Sequence, residues 1–296
     1  MLFLIPIIAP ILFGSQFIFQ KSLGSVKTEY YNLSMIFGAA ASTVIFFVIC
    51  SLIQGFQAID LIPFSLAFCG GIFWSFSNRL SLVGINNIGM AKTSVILNVV
   101  SIISFSFGIL FLGESPSMYR YIGIPILMGG AILVSLLGNG GKINKLGVIS
   151  VFIATLFISI NNFLSIDAVT AQNFPHPTIP FFTSVMCVTL GAILGAFLFN
   201  LTPSKLRGWM SQPKRTHLYA MATGVLWASG SVITTLFLAT PGFGLTYGVP
   251  LIQSLITLVS ALWGIIYFKE IYGKKKLSLY VLGAGIVVLG VVIFSL

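Results

Sequence analysis

Apolar runs of about twenty residues, separated by short polar breaks, set the pattern of this 296-residue chain. Ten such segments stand out: Leu2–Phe19, Tyr31–Leu52, Leu61–Leu82, Ala91–Leu112, Tyr121–Leu137, Leu146–Leu164, Ile179–Leu201, Tyr219–Leu238, Leu245–Phe268 and Leu277–Leu296. A helix needs roughly 20 apolar residues to cross the hydrocarbon core of a bilayer. Each segment therefore predicts a spanning helix. The longest polar connection is TPSKLRGWMSQPKRTH, Thr202 to His217, and no connection is long enough to fold as a soluble domain. The opening MLFLIPIIAPILFG has no Lys or Arg ahead of its apolar core and no small-x-small cleavage site. It reads as a first spanning helix, not as a removed signal peptide.

Composition supports the same class. Hydrophobic residues make up 57% and charged residues 7%, where a soluble domain carries about a quarter charged. The expected fold class is all-α integral membrane, with the lipid bilayer as partner and the plasma membrane as the expected location. The net charge of +10 is not read as nucleic-acid affinity, because the Lys and Arg sit mostly between the apolar runs, where they set orientation. In or within a turn of connections one, three, five, seven and nine stand Lys21, Lys27, Arg79, Lys142, Lys145, Lys205, Arg207, Lys214, Arg215, Lys269, Lys274, Lys275 and Lys276; the even connections hold only Arg120. Cytoplasmic loops carry the excess of Lys and Arg, so the odd connections are expected inside the cell and both termini outside. Cys50, Cys69 and Cys187 all fall inside apolar runs, which argues against a disulfide framework.

The chain also repeats itself. GGIFWSFS aligns with TGVLWASG, pairing Gly71 with Gly224 and Trp74 with Trp227. FGILFLGESP and WGIIYFKEIYGKKK share a Gly-x5-Glu ending, Gly108 with Glu114 and Gly264 with Glu270. In the last helix of each half Gly123 meets Gly283, and Gly130 meets Gly290. Helices three to five thus recur as helices eight to ten, whereas helices one and two match six and seven only in order and length. The expected units are residues 1–138 and 146–296. Five spans per unit is an odd number, so the second copy must lie inverted. Inverted repeats are a hallmark of secondary transporters, with the substrate near mid-membrane between the copies. The plainer reading is duplication in a structural membrane protein or an enzyme.

Ten spans in two such halves, the fourth helix of each ending in Gly-x5-Glu, resemble the drug/metabolite transporter superfamily. The wording GVLWASGSVITTLFLA and GLTYGVPLIQSLITLVSALWGIIYFKEIYGKK is similar to the glucose/ribose porter branch, which includes bacterial glucose-uptake proteins, the rhamnose–proton symporter and a eukaryotic set assigned to carbohydrates. The specific wording covers roughly residues 224–290. In ILFGSQF the chain has Phe13 where the family often has Trp. The resemblance implies a small-molecule carrier of sugars, working by alternating access. It also implies cytosolic ends, against the charge count.

Polar side chains deep in hydrocarbon cost free energy unless partnered or facing a wet cavity. Asn98 in AKTSVILNVVSIIS and Gln253 in PLIQSLITLVS lie at similar depth in helices four and nine, the repeat setting Asn98 opposite Ser254. Asn161, Asn162 and, as a lesser candidate, Gln16 add further amides. Interhelical hydrogen bonding is the alternative for all of them. Trp74 and Trp227 lie deep in their spans, with Asn78 one turn beyond Trp74. An aromatic ring suits the C–H face of a sugar and amides suit its hydroxyls, while helix packing is the alternative. Lys92 either snorkels to the interface or binds an anion. The candidate substrate contacts are Trp74, Asn78, Lys92, Asn98, Asn161, Asn162, Trp227 and Gln253.

Asp167 is expected at the interface, and Glu114 and Glu270 as structural or gating groups at helix ends. The first helix holds no acid, unlike the superfamily's cationic-drug antiporters. Proton coupling through Asp167 or a substrate-linked route stays open. No paired acids, His cluster or metal spacing points to an enzyme or a cofactor, and His176 and His217 fall in connections. The leading reading is a carrier of a sugar or similar polar metabolite, monomeric or homodimeric; the alternative is a carrier of amino acids, nucleosides or nucleotide sugars.

Overall fold

The computed structural model describes residues 5–23, 26–135, 144–172, 177–200, 202–241, 243–268 and 273–295, and every regular element among them is helical. In chain order these are α1 (Ile5–Ser15), α2 (Phe17–Ser22), α3 (Thr28–Gln54), α4 (Leu61–Ile88), α5 (Met90–Leu97), α6 (Val99–Leu110), α7 (Met118–Ser135), α8 (Lys145–Thr170), α9 (Phe181–Asn200), α10 (Pro203–Met210), α11 (Lys214–Ala239), α12 (Val249–Ile266) and α13 (Lys274–Ser295). A helix satisfies its own backbone, which is what hydrocarbon demands. The helices α3, α4, α8, α9 and α11 are long and apolar enough to cross a membrane uninterrupted. Residues 136–143, where the two expected units join, Glu270, His176 and the side chain of Lys92 lie outside the described residues.

Two of the expected runs are broken. The first is interrupted at Gln16, whose N–H reaches only to Phe13 O at 3.4 Å. The fourth is interrupted at Asn98, where Ser101 N–H bonds Asn98 O at 2.9 Å in a tight i→i+3 turn. The ninth opens with a π-helical turn, Gly244–Gly248, in which Gly248 N–H reaches Phe243 O at 2.8 Å. Pro250 has no N–H to offer the Thr246 carbonyl, so the backbone here does not follow the ordinary α-helical ladder.

Other runs extend further than their apolar pattern. The third continues to Ile88 and is closed by Gly89 at φ 85°, a backbone conformation open to glycine; the Gly89 N–H bonds Ile85 O and the chain turns at once into α5. The sixth continues to Thr170 and carries Asp167 to 0% exposure. Asp167 is therefore buried among the helices, one turn from the end of α8. The polar connection Thr202–His217 is largely helical, in α10 and the first turn of α11. His217 thus sits on a helix, with Nδ1 2.8 Å from Ser34 Oγ, and the same hydroxyl accepts Trp209 Nε1–H at 2.8 Å.

The connections sort onto two faces. Asn144 donates to Asn87 at 2.8 Å, Gln20 to Asn86 at 3.4 Å, and Lys21 Nζ lies 4.3 Å over the Phe268 ring. These contacts gather the odd connections at one end of the bundle, the His217 face. Glu114, Arg120, Thr170 and Thr240 border a common cavity at the other end of α8, the Glu114 face.

Close backbone packing joins α4 to α9 and α3 to α11. A Cβ on Gly71 would drive into the Val188 carbonyl, and one on Gly191 into that of Phe68. A Cβ on Gly224 would meet the Met35 carbonyl, and one on Gly38 that of Met221. Small residues permit this approach where lipid gives no hydrophobic drive. Gly38 and Gly191 are 153 positions apart, as are Gly71 and Gly224, Met35 and Val188, and Phe68 and Met221. The two seams thus share one offset of 153 positions. Between α7 and α13, Gly130 lies on Gly283 and Val287, and Gly290 on Leu127.

Candidate functional site

A cavity of about 160 Å³ lies at the centre of the bundle. Its wall is built from α1 and the break that follows it, α4, the end of α5, α8, α9, α11 and α12. An engineered cavity of about 150 Å³ holds a benzene-sized ring, so this space suits one six-membered ring.

Each helix contributes at helical spacing. From α4 come Trp74, Ser77, Asn78 and Ser81; from α8, Asn161, Asn162, Ser165 and Ile166; from α11, Trp227, Ser231, Thr234, Thr235 and Leu238. The α12 contribution is Val249, Ile252, Gln253 and Ile256, and the α1 break supplies Phe13 and Gln16. Positions i, i+3, i+4 and i+7 share a helix face, which is why one indole predicts the hydroxyls that follow it. Every described side chain of the wall is uncharged.

Trp74 and Trp227 do not stand apart as two platforms. Their rings stack on each other, centroids 3.7 Å apart and planes inclined by 25°, and both are buried. Each indole spends one face on its repeat partner. Together they form an aromatic slab bordering the cavity.

The amides divide into two groups. Asn78, Asn161, Asn162 and Gln253 border the cavity, as does Gln16. Asn78 is held from behind: its Nδ2 donates to Asn32 Oδ1 and, at 3.2 Å, to Met35 Sδ. Ser165 donates to Asn161 Oδ1 at 3.4 Å.

Asn98 is not a wall residue. Its Nδ2 donates to Thr257 Oγ1 at 2.8 Å and to Ser94 O at 3.3 Å, and Thr257 in turn donates to Gln253 O at 3.1 Å. Asn98 thus meets Thr257, one turn beyond Ser254, the position that the repeat alignment pairs with it. Asn98 tethers the backbone that carries Gln253. Lys92 falls on α5, and its side chain is outside the described residues.

Ser77, Ser81, Ser165, Ser231, Thr234 and Thr235 were not singled out by the sequence reading, and Gln16 only as a lesser candidate. The usable signal was their helical spacing from Trp74, Asn161 and Trp227. Gln16 Oε1, Ser77 Oγ and Thr234 Oγ1 are buried with no hydrogen-bond partner among the described residues. An unsatisfied buried polar group costs about 1–3 kcal/mol.

The family of sugar transport proteins matches residues 2–296. The chain belongs to that family. A protein of Lactobacillus johnsonii named "Putative sugar uptake protein" is 25% identical, the match covering 93% of each chain. One of the same description in Listeria monocytogenes is 23% identical over 80% of this chain and 81% of its own. The "Transmembrane protein 144 homolog" of Caenorhabditis elegans is 19% identical over 96% and 95%. A crystal structure superposes with a TM-score of 0.69 at 13% identity, covering 98% of this chain and 94% of that one, a likeness of fold. Membership in the sugar transport family makes this an integral membrane transport protein, with a small-molecule substrate and lipid around its apolar helices.

Proposed function

We propose that the protein is a secondary transporter of the drug/metabolite transporter superfamily that moves a neutral monosaccharide across the plasma membrane. In this reading residues 1–138 and 146–296 are two inverted five-helix repeats, making ten spans. The substrate occupies the central cavity, and the repeats rock around it to expose it alternately to the two sides.

The observation that carries the substrate class is the chemistry of the cavity wall: amides, hydroxyls and an indole pair, with no charged side chain among the described lining residues. A neutral polyol matches this wall. Its hydroxyls both donate and accept, as amides do, and its C–H faces lie against aromatic carbon. A nucleotide sugar would bring phosphates into a space whose described wall residues offer no cation to meet them, at a desolvation cost that pairing with those residues does not offset. A zwitterionic amino acid meets the same difficulty with two charges. The volume favours one ring over an oligosaccharide.

The test is uptake into proteoliposomes of labelled glucose, rhamnose and ribose, with unlabelled competitors. Neutral sugars are expected to accumulate or exchange and to compete with one another. A hexose phosphate, a hexuronate and an amino acid are expected not to compete. Transport of an amino acid or a nucleotide sugar, with none of any neutral sugar, overturns the proposal. Repeating the uptake with an imposed pH gradient reads proton coupling directly.

A further inference from the structure

On the Glu114 face one carboxylate joins two segments far apart in sequence. Glu114 Oε1 accepts Leu245 N–H and Oε2 accepts Thr246 N–H, each at 2.8 Å. These two amides belong to the π-helical turn that opens the ninth run. Glu114 follows α6 in the first unit, whereas the turn belongs to the second, so the carboxylate bridges the two. Both bonds are charge-assisted, the stronger kind, and the positive end of a helix favours the anion.

The surrounding backbone is shaped to this carboxylate. Glu114 N–H bonds Gly108 O at 3.0 Å, folding the end of α6 back on itself. A Cβ on Gly108 would lie 2.9 Å from Glu114 Oε2, and a Cβ on Gly244 would collide with Oε1. Two glycines, one from each unit, thus leave the space that the carboxylate fills. This is a physical reason for the Gly-x5-Glu spacing. A second contact joins the same segments: the Arg120 guanidinium lies 4.9 Å over the ring of Tyr247 in the π-helical turn.

The position of this joint gives it a role. A vestibule of about 440 Å³ on the Glu114 face is bordered by Glu114, Gly244, Thr246 and Leu238. Leu238 also borders the central cavity and is buried. Leu238 is thus common to the walls of both spaces, beside the bridged segments. Separating the units at this end breaks both carboxylate bonds.

We infer that Glu114 is the clasp of this face, bonded to the Leu245 and Thr246 amides while the face is closed and released from them when it opens. The inference rests on the alternating-access reading but not on the identity of the substrate. Glutamine at this position can accept from one amide only, and its NH2 group is turned against the other N–H. Glu114→Gln therefore shifts the open-to-closed ratio toward open, roughly tenfold or more for the loss of one hydrogen bond to a charged group.

The experiment introduces Leu238→Cys in a chain with Cys50, Cys69 and Cys187 replaced by serine. A membrane-impermeant maleimide is applied to right-side-out and inverted vesicles, and labelling rates are compared with and without Glu114→Gln. The clasp predicts labelling about tenfold faster from the vesicle side that exposes the Glu114 face, and no acceleration from the other. Gly244→Ala, which pushes the carboxylate off its seat, is expected to act in the same direction. Thermal unfolding of both variants verifies that folded protein is being labelled. An unchanged rate in either folded variant, or equal acceleration from both sides, overturns the clasp. Labelling needs no substrate, so this failure with intact sugar uptake leaves the transport proposal standing. One-sided acceleration without sugar uptake does the reverse.

Discussion

Trp74 and Trp227, equivalent positions of the sequence repeat, meet as a stacked pair with ring centroids 3.7 Å apart. Each therefore supports the other as well as bordering the cavity. Replacing Trp227 by Ala removes a buried ring and half of the stack, a change that costs about 3–5 kcal/mol in cores generally. Trp227→Ala is expected to lower the melting temperature in detergent and to admit larger competitors, disaccharides among them. Trp227→Phe should retain most of both properties. Equal loss in the two variants would argue against the stack as the stabilising element.

The glycine contacts separate into crowded and open positions. Gly71 and Gly224 have no room for a methyl group, while Gly129 and Gly285 have nothing within 4 Å of an added Cβ. Gly71→Ala and Gly224→Ala should sharply reduce the yield of monodisperse protein. Gly129→Ala and Gly285→Ala should leave it unchanged. Size-exclusion profiles of the four variants, prepared side by side, decide the matter.

Asn98 and Gln253 should part company under mutation. Asn98→Ala deletes the bond to Thr257 and is expected to cost about 1 kcal/mol of stability. The same cost is expected for Thr257→Val, and the double variant should add little more, because the two share one interaction. Gln253→Ala should instead raise the KM for the transported sugar with little effect on unfolding. A KM effect for Asn98→Ala equal to that of Gln253→Ala would place Asn98 among the substrate contacts after all.

On the opposite face, Ser34 is the shared partner of His217 and Trp209. Ser34→Ala leaves the indole N–H without its acceptor, at a cost of about 1–3 kcal/mol. The result should be a lower melting temperature with transport kinetics intact. A protease-cleavage time course should also show earlier cutting near α10. Unchanged cleavage and melting would mean that water replaces the hydroxyl without loss.

How far the site could be read in advance depended on where each residue finds its partner. Trp74 and Trp227 were legible because a repeated indole is rare and stands in the same frame of both copies. Asn161 and Asn162 were legible as amides in an apolar run, yet with Ser165 they also made that run look finished at Leu164. The same polar stretch disguised the burial of Asp167. The break at Asn98 accompanies a bond to Thr257 across the bundle, and hydrophobic periodicity carries no trace of it. Gly38 and Gly191 escaped notice for a similar reason: a Gly-Ala pair in an apolar background is a weak pattern until the facing carbonyls of Met221 and Phe68 give it meaning.

The glycine seams also set an order of events during synthesis. Gly71 waits for Val188, and Gly38 waits for Met221, so each backbone seam closes only after well over a hundred further residues have emerged. Until then the glycines of α3 and α4 lack the carbonyls on which they close in the finished bundle. The amino-terminal unit expressed by itself should accordingly be short-lived in the cell. Co-expression of the two units as separate chains should rescue both, because assembly requires that each unit supply the surface on which the other closes.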